Sequence, residues 1–390
     1  MMKFEQQLAH YEKILMQQLY RVQDKKEMSE VILLLIVGIL CGLYNPNQVA
    51  EELEINPRLL YPKLNSLSAA SWKGLLKRIM EREAVELLSK YEKSSAATQS
   101  RAEASLSVDN SLVKRLGKAL SYVWSGYSGQ LKKVTTGQDL LGIVLKINGK
   151  IIPLRLVWVS KQGRGSTSKP AVLLREMESL KAWFNEHQID LTKLGVSFDS
   201  WWVGEKFSEQ LGKIGFCKQV ICGKSNNVLK VGEKKQSLAE HFLESRLEKG
   251  WGHLTPASRL KGENPTFGKI VVILFNKPRS KAFALLIPAD PLRTCEALRI
   301  WANQPAIETF WKRMKQWLGL GKMQLRNRDG AWAELTLRVF AYFFALPLLG
   351  VVAPSLKKLT HLLHRKATFA ELIFKHFQPY FPATYANYHS

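Results

Sequence analysis

Leu140–Val159 reads LLGIVLKINGKIIPLRLVWV. Two apolar runs, Leu140–Ile147 and Ile151–Val159, flank Asn148-Gly149, a pair that tolerates the positive φ angles of a two-residue hairpin turn. The spacing predicts two antiparallel strands. Working outward, Ala104–Asp109 places apolar residues at 104, 106 and 108, and Leu120–Trp124 is a further short strand candidate. Downstream, Ala171–His187 carries Leu173, Leu174, Met177, Leu180, Trp183 and Phe184 on one helical stripe. Leu194–Asp199 then reads as a strand, Phe207–Ile214 as a helix and Phe216–Cys222 as a strand. That order indicates an α/β core over 104–222, a mixed sheet flanked by helices.

Residues 1–93 show no strand alternation and predict an all-α N-terminal domain that binds DNA. Within it, residues 47–66 (NQVAEELEINPRLLYPKLNS) resemble a helix-turn-helix. Ala50 lies in a short first helix, Asn56-Pro57 supplies an N-cap and a first helical residue, and a second helix bears Arg58, Tyr61 and Lys63. Arg58 and Lys63 are therefore candidate phosphate contacts; a plain helical hairpin is the alternative. Residues 94–103 are small and polar and read as a linker. Beyond the core, 223–290 reads as a β-rich insertion with apolar runs Ile270–Phe275 and Ala282–Ile287. Residues 291–346 return to helix, including a buried helix over Trp332–Leu346, and 347–390 form a basic tail.

The chain carries 57 Lys+Arg against 33 Asp+Glu, a net charge of +24 with pI near 9.8. The excess is spread along 390 residues, so a polyanion is the natural partner, and nucleic acid fits better than a membrane. Val31–Tyr44 is too short to span a bilayer, and Arg338 and Pro347 interrupt the longer run Leu335–Ala353. Both read as core helices. Cys41, Cys217, Cys222 and Cys295 lack zinc spacing and, with no signal peptide read ahead of them, fit reduced thiols of a cytoplasmic protein.

Pro305–Leu318 (PAIETFWKRMKQWL) puts Ile307, Phe310, Trp311, Met314 and Leu318 on one helical face, and Glu308, Lys312 and Lys315 on another. From Glu308 to Arg328 that glutamate is the only acid among Lys312, Arg313, Lys315, Lys322, Arg326 and Arg328. Alone, the window also fits a surface helix with one Glu–Lys pair. Two distant aspartates, Asp109 and Asp199, each end a predicted strand and can point into one cleft with Glu308. Three carboxylates without a Cys/His cluster make a hard oxygen site for Mg²⁺ or Mn²⁺. Two such ions about 4 Å apart suit in-line phosphoryl displacement.

The segments SVDNSLVKRLGK around Asp109, GVSFDSWW around Asp199 and IETFWKRMKQWLGLGKMQLRNRDG around Glu308 together resemble the DDE transposases of bacterial insertion sequences, over roughly residues 104–345. The resemblance implies an RNase H-like core with a β-rich insertion, metal binding by Asp109, Asp199 and Glu308, cleavage at transposon ends and strand transfer into target DNA. It also implies an active complex of two copies. In the group with a Tyr-Arg-Glu-Lys signature, Lys315 fills the Lys position, whereas Trp301 and Gln304 replace the Tyr and Arg. Lys315 would grip a phosphate and Lys312 assist it, with Lys322 and Arg326 as further DNA contacts. Trp201 and Trp202 either stack on an unpaired base or pack in the core. A non-catalytic DNA-binding protein derived from a transposase is the rival reading.

Asp139 and Asp190 read as turn or cap residues. Gly163–Ser168 (GRGSTS) lacks a P-loop ending and reads as a basic loop. Lys224, Ser225 and Asn226 are either backbone contacts or a polar loop, and His241 and His253 have no metal-ligand partner at usable spacing.

Overall fold

A computed structural model describes residues 2–364 except 21, 23, 98–103, 115–119, 129–132, 160–167, 200–203, 248–255, 277–282, 289–291, 324 and 326. Helices α1 (Met2–Gln18), α2 (Lys25–Leu40), α3 (Pro46–Glu52), α4 (Tyr61–Asn65) and α5 (Ala69–Ala97) come first. Strands β1 (Ser105–Lys114), β2 (Val123–Ser128), β3 (Lys133–Ile147) and β4 (Lys150–Val159) follow. Next are α6 (Lys169–Glu186), β5 (Gly195–Asp199), α7 (Glu205–Ile214), β6 (Lys218–Cys222), β7 (Val228–Val231), β8 (Lys234–Ser237) and α8 (Leu238–Glu244). Then come β9 (Ala257–Asn264), β10 (Gly268–Phe275), β11 (Ala284–Ile287), α9 (Thr294–Ala302), α10 (Pro305–Lys312), α11 (Arg328–Ala345) and α12 (Leu356–Leu363).

Two compact units are built from interleaved segments, one from 1–83, 112–138 and 310–390, the other from 84–111 and 139–309. In the second unit the strands follow the order β4-β3-β1-β5-β6-β11-β10-β9-β7-β8. The β3–β4 hairpin turns at Asn148 and Gly149, whose φ angles of 48° and 74° are the positive values that turn requires. β1, β5 and β6 are mutually parallel neighbours, and β11, β10 and β9 continue the sheet antiparallel. Residues of opposite parity on β5 face opposite helices. Phe198 meets Phe207 of α7 at 6.0 Å, whereas Ser197 donates to Gln304 beyond α9. The sheet is therefore sandwiched between helices, a mixed α/β architecture.

The first unit is organised on two helices apolar all round, α2 and α11, which only burial on every side can satisfy. Tyr11 packs on Phe344 at 5.2 Å, and Thr336 Oγ1 donates to the Trp72 carbonyl. Arg328–Leu348 is long and apolar enough to cross a membrane, but 89% of its most apolar 18 residues are buried within the protein. Inside this helix Glu334 and Arg338 are fully buried. Glu334 Oε1 accepts from the Gly321 and Met323 amides at 2.8 and 3.1 Å, and Arg338 Nη2 donates to the Tyr44 carbonyl at 2.5 Å. Burial pushes the Arg338 guanidinium down to about 9, and the two side chains lie 4.0 Å apart.

Several expectations are corrected. The N-terminal helices do not make a domain of their own, because their buried faces are covered by segments after residue 310. The 94–103 linker is helical as far as Ala97, since Ser94–Ala97 carries no helix breaker and ends in two alanines, the strongest helix formers. The second helix of the 47–66 segment is broken into a 3₁₀ turn, Pro57–Leu59, and the five-residue α4. Pro62 has no amide to continue the ladder from the first turn. Outside these corrections, the strands of 223–290 join the core sheet through the β6–β11 pairing, and the tail carries α12 behind a Ser355 cap.

Glu334→Ala leaves a buried guanidinium with less compensation and two amides without an acceptor, and it should cost about 3–5 kcal/mol. Denaturant melts of wild type and variant measure this; a loss below about 1 kcal/mol would show that Arg338 needs no buried counter-charge.

Candidate active site

Asp109 and Asp199 occupy equivalent places on adjacent parallel strands. Val108 pairs with Phe198 in the β1–β5 register, and each aspartate follows directly. Alternation puts both on the face that carries α9 and α10, because Ser107 and Ser197, two residues earlier, reach that way. Ser107 Oγ donates to the Asn303 carbonyl at 3.2 Å and Ser197 Oγ to Gln304 Oε1 at 2.5 Å. These buried bonds pin the α9–α10 junction to the two strands that hold the aspartates. Gly195 lets the helix approach closely: a Cβ there would lie 2.3 Å from Ile300. Glu308 then stands in the first turn of α10, where the helix dipole favours negative charge, and it is exposed.

The three acids share one electrostatic field. Burial pushes the Asp109 carboxyl up to about 7, and the charges of Asp199, Glu308 and Asp139 push it the same way, opposed by a hydrogen bond from the Asn110 amide. Among the described residues, no three His, Cys, Asp or Glu side chains stand at metal-coordination spacing. The acids are thus gathered within electrostatic reach, and their all-oxygen chemistry fits a hard divalent cation. A cation would offset the burial and, with it, the neighbouring negative charge that together hold the proton on Asp109.

Asp139, expected at a turn, instead lies within β3 and is fully buried. Lys169 Nζ from the start of α6 stands 2.5 Å from its Oδ2, and Asn110 Nδ2 donates to its Oδ1 at 2.5 Å. An acid inside a sheet needs such a cation. The residue next to Asp109 is thereby tied to a buried ion pair. The sequence offered only the adjacency of Asn110 as a signal. Asp190 is a cap, accepting from the Thr192 amide at 2.9 Å.

The remaining candidates scatter. Lys312 is exposed, but the helix changes from α to π between it and Lys315, so the expected Glu308–Lys312–Lys315 stripe does not continue as regular α spacing. Lys315 Nζ donates to the Leu112 carbonyl at 2.7 Å. Lys322 lies 4.1 Å from the Tyr44 ring centroid, and Lys63 pairs with Glu27 at 2.7 Å, while Arg58 is exposed. The half-buried Trp301 packs on the apolar cluster beneath α9, so it and Gln304 dock the helices on the sheet. Lys224 is exposed in a turn closed by Asn227, and buried His241 bonds to the Leu229 carbonyl. Trp201, Trp202, Arg326, His253 and residues 163–167 lie outside the described residues.

Asp109 keeps its proton in the native state to about pH 7, whereas the unfolded carboxyl releases it near 4. The native state therefore binds more protons across that interval, and metal-free stability should fall as pH rises from about 4 to 7, by on the order of 3 kcal/mol. Asp109→Asn has no proton to lose and should flatten this profile in urea melts across pH; parallel profiles would show that Asp109 does not carry it.

No family model matches the chain, and no curated protein matches it significantly.

Proposed function

We propose that the chain is a DDE-type transposase with an RNase H-like core, cutting DNA at the ends of a mobile element and joining the freed 3′-hydroxyl to target DNA. The observation that carries this reading is the placement of Asp109 and Asp199 at matching positions on neighbouring parallel strands, with Glu308 on a helix pinned to those same strands. The strand order β4-β3-β1-β5-β6, a hairpin beside a parallel trio, supports an RNase H-like core. The +24 charge supports DNA as the partner.

In this reading Asp109, Asp199 and Glu308 would hold Mg²⁺ or Mn²⁺, as a pair of ions. When bound, the ions supply an activated water or 3′-hydroxyl and a stabilised leaving oxygen. The protein's part is positioning. The strands fix two carboxylates side by side, and the Ser107 and Ser197 bonds set where Glu308 enters. Lys169 neutralises Asp139, so that this fourth acid is committed within the fold. Lys312, exposed on α10, provides a point charge for a phosphate. Arg58 remains the accessible cation of the 47–66 segment for the element's ends, and a complex of two copies would present two ends together.

Replacing Asp109, Asp199 or Glu308 by Ala should reduce single-turnover, Mg²⁺-dependent cleavage of end DNA by at least about 10³-fold while changing DNA affinity little. Cleavage persisting at the wild-type rate in any one variant removes that residue from the site. Wild-type protein that binds DNA yet never cuts it with either metal would favour the non-catalytic alternative.

A further inference from the structure

The face of the sheet that carries the acids continues, strand by strand, to a second charged feature. Asp199 pairs with Cys222, Cys222 with Leu285, Leu285 with Ile273, and Ile273 with Arg259. Cross-strand partners share a face, so Arg259 is on the same side of the sheet as Asp199, four strands away. At about 4.8 Å per strand that is about 19 Å, with α9 packed over the strands between. The next rows on this face pair Lys261 with Val271, then Glu263 with both Lys269 and Lys230. Lys230, Arg259, Lys261 and Lys269 line an open groove of about 650 Å³, with Glu263 its one acid among the described residues.

The lysines are available to an outside anion. Lys230, Lys261 and Lys269 are exposed. Although Glu263 stands opposite two of them in the register, none of the three has an acidic partner within 4.0 Å among the described residues. Arg259 is oriented by donating from Nη1 to the Leu292 carbonyl at 2.6 Å. Three exposed ammonium groups without an acidic partner among the described residues, on one pleated face in a concave groove, suit a chain of phosphates rather than a single small anion.

We propose that this β7–β9–β10 groove binds the phosphate backbone of DNA flanking the acid site. It takes from the proposed function only that DNA is the partner. A duplex rises about 3.4 Å per base pair, so the groove meets the backbone about six base pairs from the acids, too far to act in the chemistry and placed to hold the duplex during it.

The test is the salt dependence of binding, measured on the full-length chain in EDTA with a fluorescent random-sequence duplex of three helical turns. Lys230→Gln/Lys261→Gln/Lys269→Gln should lower the slope of log Kobs against log[KCl] by about 2.7, the loss of three phosphate contacts. A control triple with the same change in charge, Lys150→Gln/Lys206→Gln/Lys213→Gln, replaces exposed lysines elsewhere in the same unit. An unchanged slope, or equal loss in both triples, overturns the proposal. Should the groove triple unfold, Lys261→Gln alone should remove about 0.9 from the slope, and no change there overturns it equally. Because no metal is present, a protein incapable of cutting DNA still gives a clear answer.

Discussion

Two carboxylates on adjacent parallel strands repel one another, and folding must hold them there regardless. Asp109 and Asp199 are each carried by a strand buried on both faces up to the aspartate, apolar residues on one face and small ones on the other, with its register set by backbone bonds. Neither can slip by one residue without turning a whole apolar row to the wrong face. Burial of the Asp109 carboxyl, reinforced by the charges of Asp199, Glu308 and Asp139, therefore holds a proton there to about pH 7. The site is an electrostatic demand for positive charge, built into a rigid sheet.

The helix that brings the third acid is held by small polar groups, not bulk. Ser107 and Ser197 are hydroxyls short enough to meet the α9–α10 junction directly, and Gly195 removes the one Cβ that would keep α9 away. Buried hydroxyls need partners, and Asn303 and Gln304 supply them. The same economy governs Asp139, whose burial is balanced by Lys169 and Asn110. Around the acids, each buried polar group named here fixes another group's position.

Charge is thus sorted by place. Negative charge is gathered on the sheet face beneath the α9–α10 junction, while the chain as a whole carries +24. A positive surface draws in a polyanion over distances set by the Debye length.

Much of the local structure was legible in the residues themselves. Asn148-Gly149 dictated the hairpin because few other dipeptides accept two positive φ angles, and β5, α7 and β6 begin and end within two residues of their expected bounds. The apolar runs in α2 and α11 declared themselves as core. Signals of this kind lie within a few residues of one another. What only the tertiary structure decided involves partners far apart in the chain. Asp139 changed from a turn residue to a buried anion through Lys169, thirty positions on. Gln304 became a docking group through Ser197, and the N-terminal helices joined segments after residue 310 because their apolar faces needed covering. Chain order records none of these meetings, since burial and pairing are settled by packing between segments that periodicity and turn chemistry describe one at a time.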